Sequence, residues 1–251
     1  MSTLVLGGGL LGAAIARLAA AEGERVVVAS RTPKAHAGLW RRLEPDRPLG
    51  ARDTRVFVAL APRPREDVAV WSDLLPRLVT AAWREGATGV TVCGPAGEGE
   101  KGLDAFARGV GQLGAAARTV VLRFGPLYGT DDTCVWPMLR ALRESGVARV
   151  PRGLPPGWPL HVDDAARAAR RCEAGAHVLR GPQLLTTEQI GDAMVRRFGG
   201  RWTWRLWGGA WARARLRRQA DLPDGWDGGR LGPRRTFDAW VDGLPGLRRH
   251  R

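Results

Sequence analysis

Residues 4–23 read LVLGGGLLGAAIARLAAAEG: a short apolar run, three glycines, then apolar residues at helical spacing up to a closing glycine. A buried strand, a tight turn and a helix are predicted, with Gly23 as the stop. RVVVASR (25–31) reads as a second buried strand and completes a β-α-β unit. The turn fits G-x-G-x-x-G with Gly7, Gly9 and Gly12, and it lies after a strand and before a helix, where that spacing has a mechanism. Gly7 permits the tight turn, Gly9 lets the backbone approach a diphosphate, and Gly12 lets helix and strand pack closely. The helix start at Leu10 and Leu11 brings N–H groups and partial positive charge to the anion. A glycine-rich turn without a ligand is the competing reading. The stretch also has the outline of a signal peptide, but it lacks a basic leading region and glycines interrupt it.

The end of the second strand selects the dinucleotide. An acidic residue there suits the ribose of NAD. This chain has Ser30, Arg31, Thr32 and Lys34 instead. A carboxylate would repel a 2′-phosphate, whereas a guanidinium binds it with two donors. NADP(H) is therefore expected over NAD(H), against the plainer reading of Arg31 as one surface arginine among many.

Further strands are expected over 54–60, 88–93 and 118–124, with helices over 71–86 and 103–117. Pro76 is tolerable only in a first helical turn. Residues 32–53 read as irregular. Strands alternating with helices predict an α/β fold, a doubly wound parallel sheet with both faces covered. Beyond it, CVWPMLRALRESG reads as a helix, residues 151–160 as a proline-rich loop, and VDDAARAARRCEAG as a short helix with Asp163 as its N-cap. HVLRG returns a strand to the sheet. Thr186 and Gln189 form a capping box before a helix that ends at glycine.

The chain has 251 residues and a formal charge of +14. Of its 39 basic residues only Lys34 and Lys101 are lysines, and asparagine is absent. The basic excess leans toward the C-terminal half. Basic surfaces suit anionic ligands, but no nucleic-acid-binding motif is present, so specific nucleic-acid binding is not expected. No apolar run is long enough to span a bilayer. Three widely spaced cysteines suggest no disulfide framework, and the four histidines no metal site. A reducing, cytoplasmic setting is the expectation.

Several segments together resemble, in order, landmarks of the extended short-chain dehydrogenase/reductase family, the NAD(P)-dependent epimerases and dehydratases. They are residues 4–31, TRVFVALAP (54–62), TGVTVCG (88–94), VVLRFGPLYG (120–129), PLHVDDAARAA (159–169), TTEQIGDAMVRRFGG (186–200) and RLGPRRTFDAWVDGL (230–244). The resemblance implies a Rossmann domain over 1–130, rejoined by 161–182, and a small substrate domain from 131–160 and 183–251. It places Ala59, Leu60 and Ala61 beside the cofactor, and Phe124, Gly125, Pro126 and Leu127 near the nicotinamide. The connection between the second and fourth strands is short for the family, so the third strand and its helix should be reduced.

The family's catalytic pair is Tyr-x-x-x-Lys. Lys101 fits the lysine, but Gly97 stands where the tyrosine belongs, and Cys93-Gly94 replaces the usual serine or threonine. Lys101 and Cys93 also fall beside the expected cofactor site. The proton would then come from Tyr128, the chain's only tyrosine, from Cys93, His161 or Lys101, or from a bound water. An exposed Lys101 beside Glu98 and Glu100, and a packed His161, are the plainer readings.

Eleven tryptophans are present, and Trp202, Trp204, Trp207, Trp211 and Trp226 stand among arginines. An aromatic substrate pocket, a homodimer interface, membrane-surface contact and simple packing all fit. The sequence thus points to an atypical NADP-dependent oxidoreductase of a small, aromatic or other organic substrate. Its rivals are a non-catalytic NADP-binding regulator or redox sensor and a nucleotide-sugar epimerase or dehydratase.

Overall fold

In a computed structural model, the described residues are 1–33, 37–44, 47–60, 74–95, 119–130, 132, 135–152, 156–205 and 235–245. They divide into two compact units, Met1–Phe124 with Ala165–Val178, and Gly125–Asp164 with Leu179–Arg251.

The first unit carries β1 (Ser2–Leu6), α1 (Leu10–Ala21), β2 (Arg25–Ser30), β3 (Leu39–Arg42), β4 (Thr54–Val58), α2 (Leu75–Arg84), β5 (Gly89–Pro95) and β6 (Thr119–Phe124). These strands and β10 (Gly175–Leu179) form a seven-stranded sheet in the order β10-β6-β5-β4-β1-β2-β3. Every pairing from β3 to β6 is parallel. The order reverses between β1 and β4, the point where open α/β sheets place their ligand crevice. This is the expected Rossmann sheet. One face buries Leu4, Leu6, Val56, Val58, Val90 and Val92 under Leu75, Leu78 and Val79 of α2. Ala14, Ile15 and Ala16 of α1 are also buried, and α1 packs on β1 and β2. Small residues let that helix approach the strands closely.

One expectation needs correction here, and another is met over a shorter span. Residues 32–53 are not wholly irregular, because Leu39–Arg42 is a short edge strand pairing Val27–Ser30. Of the helix expected over 71–86, residues 71–73 lie outside the described residues, and Leu75–Arg84 is helical with Pro76 in its first turn, where its missing N–H is tolerated. The expected helix over 103–117 lies outside the described residues.

The second unit contains β7 (Leu127–Tyr128), α3 (Val135–Ser145), β8 (Val147–Pro151), β9 (Leu160–His161), α5 (Thr187–Phe198), β11 (Arg201–Arg205) and α6 (Phe237–Asp242). The short helix α4 (Val162–Arg171) begins in this unit, and its residues from Ala165 onward count with the first. Pairs β7–β9 and β8–β11 are parallel. Asp132 is buried and its carboxylate accepts from the N–H groups of Val135 and Trp136, capping α3. The capping box of α5 is present: Thr186 accepts from the Gln189 N–H and Gln189 from the Thr186 N–H. Met138, Leu139, Leu142, Ala148, Val150, Met194, Phe237 and Trp240 share one core.

Candidate functional site

The glycine turn has the geometry that its spacing implies. Gly7 has φ +116°, and a Cβ there would stand 2.5 Å from the Ala59 carbonyl oxygen. A Cβ on Gly12 would overlap the Gly7 carbonyl oxygen and lie 3.2 Å from Val5 Cγ1. Both positions therefore require glycine for the fold alone. Gly9 does not. Its backbone is ordinary (φ −76°, ψ −171°), and a Cβ there meets no described residue within 4 Å. It is the N-cap of α1, with no side chain to satisfy the helix's first N–H groups. Bare main chain at a helix N-terminus, with no described residue against it, is a cradle for a diphosphate.

The neighbouring strands hold this turn in place. Gly7 donates to the Ala29 carbonyl at 2.8 Å, and Ala59 donates to Leu6 at 2.8 Å. Gly7, Gly9, Leu10, Leu11 and Gly12 thus share one end of the sheet with Ala59 and Leu60. At the end of β2, Arg31 and Thr32 are exposed and Ser30 is buried. The Ser30 hydroxyl donates to the Thr32 carbonyl at 2.7 Å and accepts the Trp40 indole N–H at 2.8 Å. No sequence signal singled out Trp40, which reaches Ser30 from the edge strand. Lys34, Ala61 and Lys101 lie outside the described residues.

Cys93 is withdrawn as a proton donor and as a cofactor contact. Its thiol is buried, and burial first, then the nearby Cys172, pushes its pKa far above the ordinary value. It lies two residues beyond Thr91, on the same face of β5, and the Thr91 hydroxyl donates to the Ala169 carbonyl of α4. That face is covered by a helix.

Phe124 ends β6 in the first unit, while Gly125, Pro126 and Leu127 open the second. Gly125 donates to the Leu179 carbonyl, and the Pro126 carbonyl accepts from Leu160. Tyr128 is 1 % exposed, so it is corrected from proton donor to core residue. Its hydroxyl donates to the Arg235 carbonyl at 2.8 Å, and its ring packs edge-on against His161, Phe237 and Trp240, each at 5.2 Å. Burial, and then the Asp164 carboxylate, raise its pKa well above the ordinary phenol range. Asp164 accepts from the Arg235 N–H at 2.7 Å, so the two side chains clamp that backbone from both sides.

His161 is also buried, and its Nδ1 accepts from the Asp163 N–H at 3.2 Å. That bond makes His161, rather than Asp163, the capping side chain of α4, and it requires an unprotonated Nδ1. Of the tryptophans in the Trp/Arg-rich segment, Trp202 and Trp204 are described, and Trp207, Trp211 and Trp226 lie outside the described residues. Trp202 packs over Gly191 and donates to Asp192 at 2.7 Å, which is a packing role. A cavity of about 490 Å³ in the second unit is lined by Gln183, Gln189, Asp192, Arg196 and Asp238. Their polar groups are engaged in hydrogen bonds with protein partners.

Among the described residues no cluster of His, Cys, Asp and Glu could hold a metal, and no helix is long and apolar enough to cross a membrane. No family profile and no curated protein match the chain. Solved structures do. A UDP-glucose 4-epimerase from Thermotoga maritima, solved with UDP-glucose, superimposes with a TM-score of 0.73 at 16% identity over 96% of each chain. MoeE5 in complex with UDP-glucose and NAD matches with a TM-score of 0.65 at 19% identity over 86% of each chain. A UDP-N-acetylglucosamine 4-epimerase from Bacillus cereus gives 0.66 at 15% identity over 83% of this chain and 87% of its own. At such identities the likeness is one of architecture: the chain has a Rossmann α/β fold like that of these proteins.

Proposed function

We propose that the chain is an enzyme that binds a nicotinamide dinucleotide, NADP(H) in preference to NAD(H), at the carboxyl ends of β1, β2 and β4 and acts on a nucleotide sugar. The backbone cradle at Gly9 carries this reading, because Gly7 and Gly12 serve the turn while no described residue packs where a Gly9 side chain would stand. Gly9, Leu10 and Leu11 would hold the diphosphate, and Arg31 the 2′-phosphate. Ala59 and Leu60 would line the path at the switch point. When bound, the nicotinamide accepts or gives a hydride at a substrate carbon. The neighbours solved with UDP-glucose favour an epimerase or dehydratase over a simple reductase of a small aromatic compound. Lys101 and a bound water are the remaining candidates for moving the proton, since Tyr128, Cys93 and His161 are buried.

That loss of donors favours a second reading, a non-catalytic NADP-binding regulator. Turnover separates the readings. Purified protein with NADP(H) or NAD(H) and a panel of UDP-sugars should convert one sugar into its epimer without net change in nicotinamide absorbance, and Lys101→Ala should stop conversion while leaving dinucleotide affinity intact. Net oxidation or reduction would favour the oxidoreductase. Tight binding with no conversion of any sugar or carbonyl compound would favour the regulator.

A further inference from the structure

Resting on that reading, we propose that Arg42, on the edge strand, is a second determinant of 2′-phosphate selectivity, and that Trp40 and Ser30 bolt its strand to the turn that carries Arg31. The register places it. Strand β3 pairs β2 in parallel with Val28 opposite Trp40 and Ser30 opposite Arg42. Directly paired residues, and residues two apart on a strand, point to the same face. Ser30, Trp40 and Arg42 therefore share one face, and Arg41 lies on the other, where its guanidinium is bonded to the Leu49 carbonyl. Arg42 stands at the carboxyl end of its strand and is exposed. Its backbone lies one strand spacing, about 4.8 Å, from Ser30.

The hydrogen bonds make this arrangement stiff. Trp40 donates to Ser30 Oγ, and Ser30 Oγ donates to the Thr32 carbonyl, so the chain on both sides of Arg31 is tied to the edge strand. A cation on a fixed frame loses less entropy when it meets an anion. Among the described residues of this end of β2 and β3 no unpaired acidic side chain stands beside it in sequence: residues 30–33 and 39–43 contain none, and Glu44 is paired with Arg47 at 2.5 Å. Two guanidinium groups at the ends of adjacent strands match a dianionic phosphate monoester and give no advantage to a ribose hydroxyl. Trp40 is a positioning residue, acting through Ser30.

Titration of NADPH and NADH separately, by calorimetry, tests the assignment. One charge-assisted hydrogen bond corresponds to about a tenfold change in affinity. Arg42→Ala should weaken NADPH about tenfold and leave NADH within about twofold, whereas Arg42→Lys should keep part of the preference. Arg42→Glu should reverse it. Trp40→Phe, which keeps the ring and removes the N–H, should narrow the NADPH preference a few-fold without altering NADH affinity, a readout that loss of folding alone would not give. An unchanged preference in Arg42→Ala and Arg42→Glu, with both nucleotides still bound, would overturn the role of Arg42 and leave the dinucleotide reading standing. No binding of either nucleotide by the unaltered protein would overturn both.

Discussion

Replacing Gly7 and Gly9, one at a time, by alanine separates folding from ligand binding within a single turn. At Gly7 the new Cβ would stand 2.5 Å from the Ala59 oxygen and 2.8 Å from its carbon, on a backbone with φ +116°. Those atoms are main chain in β4's exit and cannot turn aside. Left-handed strain of about 1–2 kcal/mol adds to overpacking of about 1–3 kcal/mol, so Gly7→Ala should cost about 3 kcal/mol. In a chain of this size that lowers the melting temperature by roughly 10 °C. At Gly9 the Cβ meets no described residue within 4 Å and φ is −76°. Alanine is a poorer N-cap by about 0.5 kcal/mol, and restricting the unfolded chain returns about as much, so stability should change by under about 1 kcal/mol. The methyl group would nevertheless occupy the space a diphosphate needs. Gly9→Ala should therefore melt like the unaltered protein and lose NADPH affinity by at least about tenfold, the equivalent of one lost charge-assisted hydrogen bond. Scanning calorimetry and NADPH titration on the two variants check this. Unaltered NADPH affinity in Gly9→Ala, or a melting loss as large as that of Gly7→Ala, would refute the reasoning.

Further outcomes are expected at three places: Tyr128, the Arg170–Glu24 pair and Cys93. Tyr128 is the only tyrosine, so ultraviolet titration reads it alone; the folded protein should show no tyrosinate at pH 10, where an ordinary phenol is half ionised. Tyr128→Phe should cost about 1 kcal/mol of stability through the lost bond to Arg235 and leave turnover unaltered. Arg170, buried, bridges Glu22 and Glu24, and Thr3 also bonds Glu24. Burial raises the Glu24 pKa, but the bonds from Arg170 and Thr3 and the charges of Arg170 and Arg55 outweigh it and leave it below 4.5. The stabilisation is therefore full above pH 4.5 and lost as pH falls through the lowered value, and Glu24→Gln should flatten that loss in acid melts. Arg170→Ala should cost about 3 kcal/mol at neutral pH. Cys93 should resist thiol reagents in the folded protein and react only on unfolding, as mass mapping would show.

The sheet was legible because its strands are buried on both faces and read as continuous apolar runs, as in RVVVAS and TVVLRF. Strand β3 was not, because LWRR lies at the edge with Leu39 61 % exposed and shows no buried pattern. RWTWR alternates as a strand does, yet its tryptophans and arginines drew attention as ligand or interface chemistry. The glycine turn was legible because its spacing carries a local mechanism. Tyr128 was misread because the groups that seal it, Arg235, Phe237 and Trp240, lie more than a hundred residues away in sequence, beyond the reach of any local pattern. His161 as a helix cap depends likewise on where α4 begins, and helix starts shift by a residue or two in any reading from sequence.

A crystal structure grown with NADPH measures the central claim most directly. The diphosphate should lie on the N-terminus of α1, accepting hydrogen bonds from main-chain N–H groups of the turn through Leu11, with Gly9 Cα in van der Waals contact. Clear density for the dinucleotide elsewhere on the protein, with the α1 N-terminus holding only solvent, would contradict it.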